Sequence, residues 1–280
     1  MKKTLTTLGA AAISTTAAFA DVEANKATAT AAMNEVLVSL DTSKIDTYFA
    51  DPYIQHNPLA GSGIDALRGL VNYAKDGPGF GLETARIIGE GDLVVMHNVW
   101  EGFGPAPMAA FDVFRFNEDG KIVEHWDNLQ PIAETPNPSG RTQIDGETAI
   151  TDLDKTAENK ALVEDFITRV LIKGEKVEFT DYINPEKYLQ HNTQAGDGLD
   201  GLGAFLGYLA ENEIAFYYTD LAMVVAEGNF VFAAAEGVFG DQPTAYFDLF
   251  RLEDGRIVEH WDVIADMPAG DLPEGYPGKF

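Results

Sequence analysis

The 280-residue sequence contains no cysteine. That absence excludes disulfides, thiolate nucleophiles, zinc–thiolate and iron–sulfur centres, and a lipid-modified N-terminal Cys. Basic side chains are scarce: 19 Lys and Arg stand against 45 Asp and Glu, a formal charge of -26. A phosphate backbone would meet repulsion instead of the counterion release that drives nucleic-acid affinity, so no nucleic-acid partner is expected. No segment has the roughly 20 apolar residues needed to cross a bilayer. With only five His and three Trp, any chemistry has to come from a few imidazoles, carboxylates, hydroxyls and backbone groups. What is abundant is core material, since apolar residues make up 45% of the chain and aromatic residues 11%. This composition is that of a folded chain, not a disordered one.

Residues 1–20 begin with Lys2 and Lys3, continue through an apolar small-residue stretch from Leu5 to Ala12, and end in Ala18-Phe19-Ala20 before Asp21. This order reads as a secretory signal peptide with an A-x-A-like cleavage site, too short to be a membrane anchor. The expected product is a soluble acidic protein, periplasmic or secreted, with no membrane association after cleavage. Lys-Lys in place of Arg-Arg points to translocation in the unfolded state, and no cofactor is expected.

The remainder is an internal repeat. Tyr53-Ile54-Gln55-His56-Asn57 recurs as Tyr188-Leu189-Gln190-His191-Asn192, and Phe111-Asp112-Val113-Phe114-Arg115 recurs as Phe247-Asp248-Leu249-Phe250-Arg251. Gly120-Lys121-Ile122-Val123-Glu124-His125-Trp126-Asp127 likewise recurs as Gly255-Arg256-Ile257-Val258-Glu259-His260-Trp261-Asp262. His56 and His191, like His125 and His260, are 135 residues apart. The spacing divides the chain into a first domain over residues 21–133, a linker rich in Pro, Gly, Thr and Asp over 134–154, a second domain over 155–270 and a tail over 271–280.

Each copy opens with helical periodicity, at Ala24–Leu40 in the first and around Ala161–Leu171 in the second. A short helix at Ile45–Phe49 is expected to stop at Asp51-Pro52, and another follows the Gln-His-Asn turn at Ile64–Ala74 and Leu199–Ala210. The rest of the first copy reads as strands at Glu83–Gly89, Leu93–Glu101, Met108–Phe116 and Lys121–Leu129. Helices followed by a meandering antiparallel sheet make an α+β fold.

The Tyr-Ile-Gln-His-Asn-Pro turn at 53–58 and the closing motif at 112–127, each present in both copies, resemble the SnoaL-like branch of the nuclear transport factor two superfamily. The resemblance implies two tandem cone-shaped α+β barrel domains, each with N-terminal helices packed on a curved antiparallel sheet around an apolar pocket. Such domains commonly pair sheet against sheet, which implies an intramolecular pseudo-dimer here, with further homo-oligomerisation open. The branch takes its name from polyketide cyclases that run an aldol condensation without cofactor, with a pocket aspartate as base. Its other relatives include isomerases, dehydratases, hydrolases and plain ligand binders, so fold alone does not settle function.

Alternation along a strand puts His125 and Asp127 on one side and Glu124 and Trp126 on the other. The residues do not say which side faces a pocket; the resemblance puts His and Asp inward and leaves Trp126 for packing. Asp112 falls on the neighbouring strand, and His56 is expected to arrive from the helical layer. Two carboxylates and two imidazoles converging on an apolar hollow supply the parts for proton abstraction next to a carbonyl. The candidate base is Asp127, with His125, His56 and Asp112 orienting substrate or stabilising charge; Asp262, His260, His191 and Asp248 are their counterparts. The expected partner is a small apolar ligand or carbonyl substrate.

Other roles stay open at this level. Asp112 can pair with Arg115 or Arg86, His56 can cap a turn, His125 can be a hydrogen-bonded core residue, and the pocket can bind without turnover. No metal site is assigned: His-x-Asp is part of a two-His-one-carboxylate pattern. His56 and His97 could complete the set in the first copy, but Ala234 stands at the position of His97 in the second. If one half is scaffold, the second copy, with fewer His, is the expectation. The Gly/Pro-rich loops Asp76–Gly81 and Gly102–Pro107 are candidates for the rim of the mouth.

Overall fold

The computed structural model describes residues 21–280; the leader read in residues 1–20 lies outside the described residues. Helix α1 (Val22–Ala32) starts where the Asp21 side chain accepts the Ala24 N–H, and it widens into a π-helical turn at Met33–Val38. Its counterpart α4 (Thr156–Phe166) widens in the same way at Ile167–Ile172. A short helix α2 (Ile45–Tyr48) is followed by strand β1 (Phe49–Gln55), helix α3 (Ile64–Lys75), and strands β2 (Gly81–Glu90), β3 (Leu93–Glu101), β4 (Met108–Phe116) and β5 (Ile122–Pro131). The second half gives strand β6 (Leu189–Gln190), helix α5 (Gly198–Glu211), and strands β7 (Phe216–Glu227), β8 (Phe230–Phe239), β9 (Gln242–Glu253) and β10 (Arg256–Asp266). Among the described residues no helix is long and apolar enough to cross a membrane.

Each half holds one five-stranded sheet of the same order, β1-β5-β4-β3-β2 and β6-β10-β9-β8-β7. Four strands of each form the antiparallel meander read from the sequence. The fifth corrects that reading. The short helix is present at Ile45–Tyr48, but Asp51-Pro52 and Tyr53–Gln55, the latter expected in a turn, belong to an edge strand, Phe49–Gln55, that runs parallel to β5 and sets Gln55 opposite His125. An edge strand tolerates the proline because its outer side needs no ladder donor.

The inner face of each sheet packs on its own helices, with Met33, Val36, Leu67 and Val71 against Val94, Met96, Ala110 and Phe114 in the first half. The outer faces pack on each other. Phe111, Val113 and Trp126 meet Phe232, Phe247, Leu249 and Trp261 in one buried cluster, with Phe111 and Phe232 ring centroids 5.4 Å apart. Asn128 crosses this interface to donate to the carbonyls of Ala245 and Val263 at 3.0 and 2.7 Å.

The free sheet edges β2 and β7 are bridged by reciprocal ion pairs. Lys26 of α1 pairs with Glu227, which accepts the Gly89 N–H at 2.8 Å; Lys160 of α4 pairs with Glu90, which accepts the Ala226 N–H at 2.9 Å. The segments after the sheets are also exchanged. Residues of the linker lie on the second half: Asn137 donates to the carbonyls of Gln190, Asn192 and Ala195, and Arg141 grips Asp197. The tail lies on the first half, where Tyr276 donates to the His56 carbonyl at 3.1 Å and the buried Lys279 ammonium donates to that of Asp127.

Phe232 is fully buried between the two sheets. Replacing it with Ala is expected to cost about 3–5 kcal/mol of unfolding free energy, read from urea denaturation. A loss below about 1 kcal/mol would show that the sheets do not share a core.

Candidate functional site

Tyr53, Gln55 and Asn57 alternate with Ile54 and His56 along β1 and its exit, so the first three share a face. The parallel pairing with β5 turns that face inward, beside His125 and Asp127, and Asp112 joins from β4 directly opposite Asp127. Together with Met33, Leu37, Phe49, Phe80, Trp100 and Phe114 these residues line a hollow of about 380 Å³. Gly102 and Phe103 from the Gly/Pro-rich loop stand at its rim.

A chain of hydrogen bonds orders the polar end. The Asn57 N–H can only donate and reaches Gln55 Oε1 at 2.9 Å, which fixes the orientation of that amide. Gln55 Nε2 then donates to the Tyr53 hydroxyl at 3.0 Å, and His125 Nδ1 must carry a proton to meet Gln55 Oε1 at 3.1 Å. The other ring nitrogen, Nε2, lies 3.1 Å from Asp112 Oδ1, so that pair shares a further proton. Asp112 Oδ2 accepts from Asn98 at 2.7 Å and from the Trp100 indole at 2.8 Å. Asp127 is used differently: its one side-chain hydrogen bond among the described residues is at Oδ2, which accepts from Asn57 at 2.7 Å.

The second half repeats the arrangement. Asn192 N–H and His260 Nδ1 converge on Gln190 Oε1, His260 Nε2 lies 2.9 Å from Asp248, and Asn192 holds Asp262 at 2.7 Å. Here Tyr218 donates to Asp248 Oδ2 at 2.9 Å. The hollow is about 80 Å³. Burial, with the nearby Asp248 charge, pushes the Asp262 carboxyl up to about 6 against the opposing pull of His260 and Asn192. Burial alone would lower His260, but its hydrogen bond to Asp248 and the charges of Asp248 and Asp262 push it up. The phenols of Tyr53 and Tyr188 are driven well above their ordinary range, first by burial and then by the adjacent aspartates, and stay protonated.

Of the eight site residues expected from the sequence, His125, Asp112 and Asp127 come together in one hollow, and His260, Asp248 and Asp262 in the other. His56 and His191 do not, and that expectation is corrected. Because β1 is a strand, His56 falls on the side opposite Gln55, where it stacks on Trp126 at 4.8 Å between Glu124 and the Gly278 carbonyl. His191 stacks on Trp261 at 4.7 Å, bonded to Glu259 and the Thr142 carbonyl. Both therefore belong to the layer between the sheets. Asp112 pairs with neither Arg115, which bonds Glu124 and Asp92, nor Arg86, which holds three linker carbonyls.

Gln55, Asn57, Gln190, Asn192, Tyr53, Asn98, Trp100 and Tyr218 were not singled out in advance. The signal for the Gln and Asn pairs was in the repeated Tyr-x-Gln-His-Asn motif, whose period of two separates Tyr, Gln and Asn from His. Ligand atoms of Asp112, His125 and Asp127 lie within 4.8 Å of one another, as do those of Asp248, His260 and Asp262. Both Asp112 oxygens already face N–H donors that a cation would displace, and His97, the other imidazole considered, stands on the outer face stacked on Phe111.

Residues 30–125, within the first half, match the family described as SnoaL-like domain. No curated protein matches the chain. Solved structures similar to one half of it include TsrD from Streptomyces laurentii, at 21% identity and TM-score 0.32, covering 38% of this chain and 90% of that one. An LEH-like epoxide hydrolase of M. tuberculosis aligns at 19% identity and TM-score 0.35, over 39% and 84%. An NTF-2 like protein of unknown function from Burkholderia xenovorans LB400 aligns at 23% identity and TM-score 0.34, over 41% and 88%.

A carboxyl raised on folding binds its proton more tightly in the native state, so its effect on stability is favourable at low pH and is lost as pH rises. For Asp262 the window runs from its ordinary value of 3.8 to about 6. Wild type is expected to lose roughly 3 kcal/mol relative to Asp262→Asn as pH rises across that window, measured by urea titration. Parallel curves for the two proteins would contradict the raised value.

Proposed function

We propose that this chain is an exported protein that carries out cofactor-independent proton transfer on a small apolar carbonyl compound, of the aldol or isomerase type, in the hollow of its first half. The observation that carries the reading is the unequal use of the two carboxylates. Asp112 spends both oxygens on N–H donors, so it serves as the fixed partner of His125 and not as a base. Asp127 keeps one oxygen uncommitted, in a hollow walled by Phe49, Phe80, Trp100 and Phe114. A carboxylate with little water around it and a free lone pair can take a proton from carbon next to a carbonyl.

The charge that develops on the carbonyl oxygen needs a donor. The Tyr53 hydroxyl, whose oxygen accepts from Gln55 Nε2 and whose proton is left to donate, stands close enough to Asp127 for that charge to raise its phenol. Asn57 and the His125–Asp112 pair hold the base and that end of the hollow in place. The proton taken by Asp127 then returns to another carbon for an isomerisation, or the enolate attacks a second carbonyl for an aldol closure. The competing reading, a binding module without turnover, is favoured by the closed hydrogen-bond network around Asp112 and predicts saturable binding with no exchange of carbon-bound hydrogen.

The test is hydrogen–deuterium exchange next to the carbonyl of 2-tetralone in D₂O, followed by NMR. Wild type accelerates the exchange. Asp127→Asn keeps the hydrogen bond to Asn57 through its amide oxygen but lowers the rate by about 10² or more. An undiminished rate in the Asp127→Asn/Asp262→Asn double variant would refute the role of the aspartates, and binding without exchange in wild type would establish the competing reading.

A further inference from the structure

The two hollows share a polar end but differ in size, about 380 Å³ against 80 Å³. The register identifies the residues responsible. Ala110 precedes Asp112 by two and lies opposite Asn98 and Leu129; Tyr246 precedes Asp248 by two and lies opposite Ala235 and Ile264. Trp100 on β3 corresponds to Gly237 on β8, and the residues paired with these two are Leu82 and Tyr218. The exchange is concerted. A Cβ on Gly237 would clash with the Tyr217 carbonyl oxygen and stand 2.9 Å from Tyr246 Cε2, so the backbone of β7 and the tyrosine ring together occupy the space into which a side chain at 237 would project. Tyr218 stacks on that ring at 4.2 Å and runs down to Asp248. Phe205 of α5 then closes in at the position held by Leu70 of α3.

For scale, an apolar cavity of about 150 Å³ holds a benzene molecule, so the second hollow is too small for a single ring. None of its lining residues is exposed. The first hollow reaches the surface between Leu59, Tyr73 and Phe103, which are 89%, 81% and 39% exposed. One of its walls is aromatic: Phe80 stacks on Phe103 at 4.5 Å, and Trp100 meets that pair edge-on, 6.4 Å from Phe80. Polar groups are gathered at one end, and the remaining walls are apolar.

We propose that the first hollow alone takes an organic ligand, an apolar molecule larger than a single ring that bears a hydroxyl or carbonyl oxygen, and that Tyr218, Phe205 and the Gly237–Tyr246 pair exclude it from the second. Its apolar body packs against Phe80 and Trp100, and its oxygen reaches the end occupied by Asp127 and Tyr53. That placement of the oxygen rests on the function proposed above; the difference between the halves does not.

The probe is 2-naphthol, titrated calorimetrically into the full chain and followed in parallel by tryptophan fluorescence. Trp126 and Trp261 lie in the layer between the sheets, so quenching reports on Trp100. Wild type is expected to bind one naphthol per chain with quenching, and Trp100→Phe to lose the quenching. Ala60→Phe, a loop substitution at the mouth that leaves the core untouched, is expected to weaken binding about tenfold, equal to 1.4 kcal/mol. Tyr218→Ala is expected to admit a second molecule. Two sites in wild type, quenching that survives Trp100→Phe, binding unaffected by Ala60→Phe, a single site in Tyr218→Ala, or no binding at all would each overturn the assignment. Failure here with a rate loss in Asp127→Asn would leave the proposed chemistry standing; one naphthol bound at Trp100 with an undiminished rate in Asp127→Asn would do the reverse.

Discussion

Gln55 opposite His125 on one flank and Asp112 opposite Asp127 on the other pin strand β5 in a register that a slip of one residue would invert. That register gives a single strand two jobs. Its inward residues, His125 and Asp127, complete the polar end of the hollow, while Trp126 enters the core between the sheets and Glu124 meets His56 and Arg115. The same division holds on β10. Interior chemistry and association of the halves therefore cannot vary independently along these strands, because moving one set of side chains moves the other.

Association of the halves is specified by more than apolar area. The outer faces bring Phe, Val, Leu and Trp together, and such surfaces tolerate sliding. Asn128, buried and bonded to two carbonyls of the opposite sheet, does not. The crossed Lys26–Glu227 and Lys160–Glu90 pairs place a carboxylate on a backbone N–H at each free sheet edge, which occupies donors that another strand could otherwise recruit. Arg86 adds a third constraint, its guanidinium 4.1 Å from the centre of the Trp261 ring while it holds the linker carbonyls.

Much of this was legible in the residues. Leu93–Glu101 and Met108–Phe116 coincide with β3 and β4, because nearly continuous apolar runs of nine residues, buried on both faces, and a Gly-bearing turn after β4 leave little freedom. The inward placement of His125 and Asp127 followed once a face was chosen, but the choice came from a resemblance and not from the strand itself. β1 was missed because seven residues containing Asp51-Pro52 resemble a loop, and its pairing is with β5, far away in sequence. That miss propagated to His56, since a residue in a turn has no face. The narrowing of the second hollow was hidden for a related reason: Gly237 and Tyr246 each look unremarkable until register sets them side by side.

The strips that follow the two sheets are traded. The one after β5 covers the second half, and the one after β10 covers the first, where His56 meets the Gly278 carbonyl as His191 meets that of Thr142. Each half is thus finished by material supplied from the other's end. Two separate polypeptides sharing such an arrangement would come apart on dilution, whereas a covalent join holds the local concentration of each partner constant however dilute the protein becomes. A molecule built this way stays assembled as a lone copy, and one of its two chambers is free to drift toward a filled, load-bearing state without costing the other its walls.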